Sequence, residues 1–279
     1  MSWPLAIFLG FIQGVTEFLP ISSSGHLAIF QSFGLEDIHD RHLFFDVLLH
    51  MGTLVAVCIV YRKDIVEMIR ALISLVRPGR GDEENPVAPS KARLALMLII
   101  ATLPMMLAIP LISTVGRLGN RLWFVGLMLL ITGGILFFSD KLARGRRGEK
   151  NMTVKNALVI GFIQFVAVLP GLSRSGLTIT AGAMTGLDRG FAVRFSFLLS
   201  IPAILGANIV TSITEIDMVD WSLMPMYLVG VLVAGVTGYF AIRLVKLLVD
   251  AGKFGKFAYY CWFAGTVAII ASIVQAIMN

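Results

Sequence analysis

The sequence predicts an all-α integral membrane fold: six transmembrane helices plus two re-entrant helix–loop–helix hairpins in an inverted repeat. Three observations carry this expectation. Of 279 residues, 57% are hydrophobic and only 14% charged, and the mean hydropathy is +0.85. A soluble domain carries about 25% charged residues, so this chain has too little polar surface to cover itself in water. Apolar runs of near-spanning length recur along the chain. Finally, two apolar stretches are each broken by a short polar segment, and the two resemble one another.

The runs Leu43–Tyr61, Leu94–Thr114, Leu122–Ser139, Phe191–Thr214, Trp221–Ile242 and Phe257–Met278 each approach the ~20 residues that carry an α-helix across ~30 Å of hydrocarbon. Pro104 and Pro110 are expected to bend the second run, which neighbouring helices can accommodate. Arg62 to Arg77 is apolar with Lys63, Asp64, Glu67 and Arg70 at intervals, the pattern of a helix lying at the interface. The first Lys or Arg is Arg41. The opening segment thus lacks the basic start of a cleavable signal peptide and is expected to stay in the mature protein.

Charge sets the orientation. The +6 net charge sits in short loops between apolar runs, a distribution that argues against nucleic acid as a partner. Asp140–Lys155 carries Lys141, Arg144, Arg146, Arg147, Lys150 and Lys155, and Arg243–Lys256 is also basic, whereas Glu215, Asp217 and Asp220 form an acidic loop. Basic loops face the cytoplasm, which puts the acidic loop and both ends of the chain outside. Cys58 and Cys261 both lie within apolar runs and read as small packing residues.

Two stretches do not fit as spans. Trp3–Leu19 breaks at Pro20-Ile21-Ser22-Ser23-Ser24-Gly25 and resumes over His26–Leu35. Asn156–Leu169 breaks at Pro170-Gly171-Leu172-Ser173-Arg174-Ser175-Gly176 and resumes over Leu177–Leu187. The second arms reach ~20 Å or less at ~1.5 Å per residue, too short to cross. Each stretch reads as a re-entrant hairpin, at 3–35 and 156–187. Gly10-Phe11-Ile12-Gln13 recurs as Gly161-Phe162-Ile163-Gln164, and Val15, Ser22, Ser24 and Gly25 match Val166, Ser173, Ser175 and Gly176. The expected organisation is one membrane domain, 1–279, with repeats at about 1–115 and 154–279. Three spans between the copies invert the second, and inverted broken helices place a polar site between them near mid-membrane.

Ionisable groups inside membrane segments are costly and mark function. Here they are Glu17, His26, Asp46, His50, Arg174 and Arg194. Gln13 and Glu17 share a helical face, an amide and a carboxylate able to hold a divalent cation or orient water. Ser22, Ser23, Ser24 and His26 combine hydroxyls, free amides and an imidazole, suited to helix capping, anion binding, proton transfer or attack on phosphorus. Ser173, Arg174, Ser175 and Thr178 surround one guanidinium, whose planar fork matches phosphate. Asp46 and His50, again four apart, read as a buried pair or as part of the site; Arg194 reads as snorkelling to the interface. Together these are the parts of phosphoryl transfer.

Gln13-Gly14-Val15-Thr16-Glu17-Phe18-Leu19-Pro20-Ile21-Ser22-Ser23-Ser24-Gly25-His26-Leu27 resembles the first signature of the undecaprenyl-diphosphatase family linked to bacitracin resistance. Pro170–Thr178 resembles its second signature, and Phe45–Thr53 a further family stretch. The resemblance covers essentially the whole chain. It implies hydrolysis of undecaprenyl diphosphate to undecaprenyl phosphate, recycling the carrier lipid of cell-wall synthesis, at the outer face of a bacterial cytoplasmic membrane. It assigns roles to Glu17, His26, Ser22–Ser24, Arg174, Ser173 and Thr178, with Ser23 or His26 as nucleophile and Mg²⁺ or Ca²⁺ at Glu17. Gln13 occupies the first place of a Glu-or-Gln, three residues, Glu pattern, which lowers the number of carboxylates available to that cation.

Expected partners are the polyprenyl diphosphate and membrane lipids, with a homodimer as the protein partnership the reading allows. Two rivals are weighed. The type-2 phosphatidic acid phosphatase class needs a His six residues after its Arg, where this chain has Thr180. A polyprenyl-phosphate transporter would use the same anion site.

Overall fold

The computed structural model describes residues 1–32, 43–76, 89–142, 145–215 and 220–278. Among these the fold is helical, with one isolated β-bridge between Arg147 and Leu187. In chain order the helices are α1 (Trp3–Phe18), α2 (Ser23–Ser32), α3 (Leu43–Val60), α4 (Arg62–Val76), α5 (Pro89–Thr102), α6 (Ile112–Gly119), α7 (Leu122–Ser139), α8 (Val154–Val166), α9 (Arg174–Met184), α10 (Arg189–Glu215), α11 (Met224–Asp250) and α12 (Phe257–Met278). A 3₁₀ segment, Leu103–Leu111, joins α5 to α6.

Five stretches are long and apolar enough to cross a membrane: Pro89–Gly119, Leu122–Ser139, Arg189–Val210, Trp221–Asp250 and Phe254–Met278. A sixth arises if Phe44–Val60 is counted together with Arg62–Ser74, into which it bends by 80°. That bend falls where the expected Leu43–Tyr61 run gives way to the separate helix expected from Arg62. The charged run Arg62-Lys63-Asp64 opens the second helix directly at the bend. In α4, Met68 and Ala71 pack inward while Val66, Ile69 and Ile73 face outward beside its charges, so the helix runs across the end of the bundle. Pro104 and Pro110, which lack N–H groups, lie in a 3₁₀ segment, Leu103–Leu111, in the middle of the 31-residue Pro89–Gly119 stretch.

The two broken stretches contain short helices. α1 has 16 residues and α8 has 13, about 24 and 20 Å at 1.5 Å per residue, less than a ~30 Å hydrocarbon core. Thr153 starts α8 with a capping box, its side chain accepting from the Asn156 N–H while the Asn156 amide accepts from the Thr153 N–H. Residues 33–35 of the first expected hairpin, and Arg77, Arg144 and Asp217, lie outside the described residues.

Large apolar side chains such as Phe11, Leu228, Phe240, Phe263 and Ile277 face outward at half exposure or more. Water would not tolerate so much exposed apolar surface; lipid does. Without a hydrophobic drive between helices in lipid, packing relies on close backbone approach at small residues. A Cβ on Gly10 would stand 2.3 Å from the Gly230 carbonyl oxygen, and one on Gly14 would stand 2.5 Å from that of Ala234; α1 therefore lies directly on α11. At the start of α10, Arg194 does not merely reach an interface. It pairs with Asp64 and with Glu149 at 3.0 Å, while Lys91 holds Asp64 at 2.8 Å and Glu67 at 3.0 Å. This network ties α4, α5 and α10 together.

Gly10→Ala places a methyl group against backbone that cannot yield without moving α11. Overpacking of this kind costs about 1–3 kcal/mol, so the variant is expected to unfold at a lower temperature in detergent than the parent. An unchanged midpoint would show that α1 and α11 are not in this contact.

Candidate active site

The site is built where the two broken stretches meet. α1 ends at Phe18, and the chain turns through Leu19–Ile21 to Ser22, whose φ of +68° is the one positive value at a non-glycine residue among those described. That strained turn places the Ser22 hydroxyl to accept from the Gly25 N–H at 3.2 Å, capping α2. In the second break, Gly171 adopts φ +95°, where a side chain would be strained and its Cβ would meet the Val125 carbonyl at 2.4 Å. Ser173 then accepts from the Gly176 N–H at 3.1 Å, capping α9. Each break carries the same hydroxyl pair: Ser22 with Ser24 at 3.3 Å, and Ser173 with Ser175 at 3.3 Å.

The breaks also touch. A Cβ on Gly25 would lie 3.2 Å from Gly171 Cα, and one on Gly176 would lie 3.0 Å from the Pro20 ring. Ser175 Oγ donates to the Leu19 carbonyl at 3.3 Å. Two helix N-termini thus converge, each with unsatisfied N–H groups and the positive end of a dipole, the setting in which anions bind.

Glu17 sits at the junction. One carboxylate oxygen pairs with the Arg174 guanidinium, crossing from one break to the other. The other accepts from Ser23 Oγ at 2.7 Å and Gln13 Nε2 at 3.1 Å, and His50 Nε2 lies 3.6 Å away. His50 Nδ1 donates to the Asp46 main-chain carbonyl at 2.7 Å, so the expected link between these two residues runs through backbone and turns Nε2 toward Glu17. A cavity of about 380 Å³ opens beside this cluster, lined by Glu17, Ser22, Ser23 and Ser24, by Asp46 and His50, by Ser173 and Arg174, and by Gln164, Asn208 and Met105. Its size suits a small polar ligand or headgroup.

Not every expected residue lines it. Gln13 reaches the site only through Glu17. Thr178 Oγ1 bonds the Arg174 carbonyl at 2.8 Å and Ser196 Oγ at 2.6 Å, and Ser175 holds the opposite break. His26 lies behind the first loop, its ring stacked on Tyr260 with centroids 5.5 Å apart. A carbonyl only accepts, so His26 Nδ1 carries a proton toward Ser22 O at 2.7 Å, and in the neutral ring Nε2 accepts from the Tyr260 hydroxyl at 2.7 Å.

Four contributors are absent from the sequence reading of the site. Thr132 Oγ1 donates to the Gly171 carbonyl at 3.2 Å and accepts from the Ser173 N–H at 3.2 Å, clamping the second break to α7. Tyr260 holds His26. Gln164 and Asn208 are cavity amides. Gln164 carries a sequence signal, since it is the repeat-matched counterpart of Gln13; Asn208 carries only its polarity within an apolar run.

Among the described residues no group of three or more His, Cys, Asp and Glu side chains could hold a metal ion. The oxygen donors do suit a hard cation completed by ligand phosphate and water. Glu17 offers its carboxylate, and Gln13 Oε1 is a buried acceptor with no hydrogen-bond partner.

Thr132→Val keeps the shape of the clamp but leaves a buried N–H and a buried carbonyl unpaired. Such losses cost about 1–3 kcal/mol, so thermal unfolding in detergent is expected at a lower temperature, with Thr132→Ser near the parent. Equal midpoints for all three proteins would remove the clamp.

Comparison with known proteins gives one answer along nearly the whole chain. The family described as bacitracin resistance protein BacA matches residues 6–267. An undecaprenyl-diphosphatase of Methanosphaera stadtmanae is 39% identical over 276 residues, covering 96% of this chain and 98% of the relative. One of Alkaliphilus metalliredigens is 38% identical over 275 residues, covering 96% and 98%. One of Desulfosudis oleivorans is 42% identical over 277 residues, covering 94% and 96%. A multi-pass helical bundle with a carboxylate, a guanidinium and serine hydroxyls gathered between two broken helices, this chain belongs to the BacA bacitracin-resistance family.

Proposed function

We propose that this protein hydrolyses undecaprenyl diphosphate to undecaprenyl phosphate and inorganic phosphate, recycling the carrier lipid of cell-wall synthesis at the outer face of the cytoplasmic membrane. The observation that carries the reading is the junction of Ser23, Glu17 and Arg174 on the wall of one cavity. It unites a hydroxyl nucleophile, a carboxylate to take its proton, and a fixed positive charge for the oxyanions.

In this mechanism the diphosphate displaces Glu17 from part of its pairing with Arg174, and the guanidinium and the α2 and α9 N-termini hold its oxygens. Ser23 Oγ attacks the terminal phosphorus as its proton passes to Glu17. The bridging P–O bond breaks as Glu17 passes that proton to the departing oxygen, and undecaprenyl phosphate leaves with the carboxylate restored. Water, deprotonated at Glu17, then attacks the phosphoserine, and the same proton returns to Ser23 Oγ as phosphate is freed. The 2.7 Å hydrogen bond from Ser23 to Glu17, and the engagement of both His26 nitrogens elsewhere, favour Ser23 over His26 as nucleophile. A Mg²⁺ or Ca²⁺ held by Glu17 and Gln13 would offset charge on the diphosphate. The prenyl chain has an apolar way out: Met105 and Ala203 line the cavity, and their neighbours Met106 and Pro202 line an adjoining groove of about 210 Å³ with Leu98, Ile99 and Leu103.

The finer topology follows the same reading. Six crossings with re-entrant hairpins at 3–35 and 156–187 form a single membrane domain of two inverted halves, about 1–115 and 154–279. The matched capping and hydroxyl pairs of the two breaks support it. The basic loops support the orientation.

Purified protein in lipid is expected to release inorganic phosphate from C55 diphosphate, and chelation of divalent cations to lower the rate. Arg174→Ala should reduce kcat/KM by at least about 100-fold. Ser23→Ala is expected to abolish turnover while His26→Phe retains a fraction; the reverse order would move the nucleophile to His26. No release from folded wild-type protein would sink the hydrolase reading and leave polyprenyl-phosphate transport.

A further inference from the structure

Around the cavity, amide side chains are left with polar atoms that no protein group meets. Neither Oε1 nor Nε2 of Gln164 has a hydrogen-bond partner among the described residues, and the same is true of Asn208 Nδ2. Both residues are buried, at 1% and 7% exposure. Both line the cavity that holds Glu17 and Arg174. Burying an amide without a partner forfeits its hydration, so native proteins pair nearly all such groups. The same helix shows the normal outcome: Asn156 on α8 donates to the Thr185 carbonyl at 3.0 Å and accepts from Thr153. Gln164, two turns on, has no such partner. Two helices, α8 and α10, thus each bring an unpaired amide to one polar cavity, so packing within a single helix does not account for them.

We propose that Gln164 and Asn208 form a second phosphate subsite. Their N–H groups take the oxygens of one phosphoryl group of the diphosphate, while Arg174 and the two serine breaks take the other. This rests on the diphosphatase reading and deepens it. A neutral donor pair beside a charged one suits a ligand whose two phosphoryl groups occupy both subsites together. A monophosphate fills only one, so the amides favour the diphosphate over its product. They are binding residues, and their contribution appears in affinity rather than in the chemical step.

The test compares wild-type protein with Gln164→Met and Asn208→Leu in C55 diphosphate turnover, with undecaprenyl monophosphate as inhibitor and thermal unfolding measured without substrate. Each variant is expected to raise KM about 10-fold with kcat within about 3-fold, the pattern of lost binding, and to leave monophosphate inhibition unchanged. Their unfolding midpoints should equal or exceed the wild-type value, because an unpaired buried amide has been replaced by an apolar group of similar size. An unchanged KM overturns the proposal whatever the stability. If KM rises while the midpoint falls, Gln164→Glu decides, since it keeps size and polarity but repels an anion. A KM at or above that of Gln164→Met supports the subsite, and a return to the wild-type KM overturns it. Wild-type protein that releases no phosphate would sink the diphosphatase reading and the subsite with it, whereas wild-type turnover with unshifted variants sinks the subsite alone.

Discussion

The pairing of Arg174 with Glu17 joins segments 157 residues apart in the chain, and much of the surrounding structure is arranged to make it tolerable. Charges removed from water repay their desolvation only when geometry is good and every remaining donor and acceptor is met. Here Ser23, Gln13 and His50 surround the second carboxylate oxygen, while Thr178 accompanies the Arg174 main chain. A buried ion pair of this kind is a weak source of stability. It is a strong means of holding a guanidinium and a carboxylate in one geometry before any ligand arrives.

That pair requires irregular backbone at depth, and irregular backbone must be satisfied without water. The two breaks solve this in the same way. A serine caps the following helix, a second serine two residues on bonds the first, and a glycine follows where the chains cross. Thr132 on α7 supplies the one hydroxyl that serves both sides of the second break. The outer helices make the enclosure possible, because Gly10 and Gly14 let α1 approach α11 to backbone contact.

The cavity lining is chemically mixed. It combines the charges and hydroxyls with the amides of Gln164 and Asn208, of which both Gln164 polar atoms and Asn208 Nδ2 have no partner among the described residues. Leaving polar groups unmet destabilises the free protein, and sites built for ligands commonly bear that cost. Beyond the polar lining, the groove at Met106 and Pro202 is apolar, and these residues are next in sequence to Met105 and Ala203 of the cavity.

Composition and pattern alone determined the membrane class, most of the spans, both backbone breaks, and the residue types gathered in them. Those features are local. A run of apolar residues, a proline without an N–H, or an Arg flanked by serines declares its preference within a few positions. Even Gln164 left a trace, through its match to Gln13. Only the tertiary structure decided that Arg194 belongs to an ion-pair network and that His50 turns toward Glu17. It alone separated Ser23, on the cavity wall, from His26, held behind it by Tyr260. Tyr260 lies 234 residues from His26, and Thr132 lies 41 from Ser173. A side chain's direction depends on which distant helix packs against it, and no local pattern encodes that neighbour.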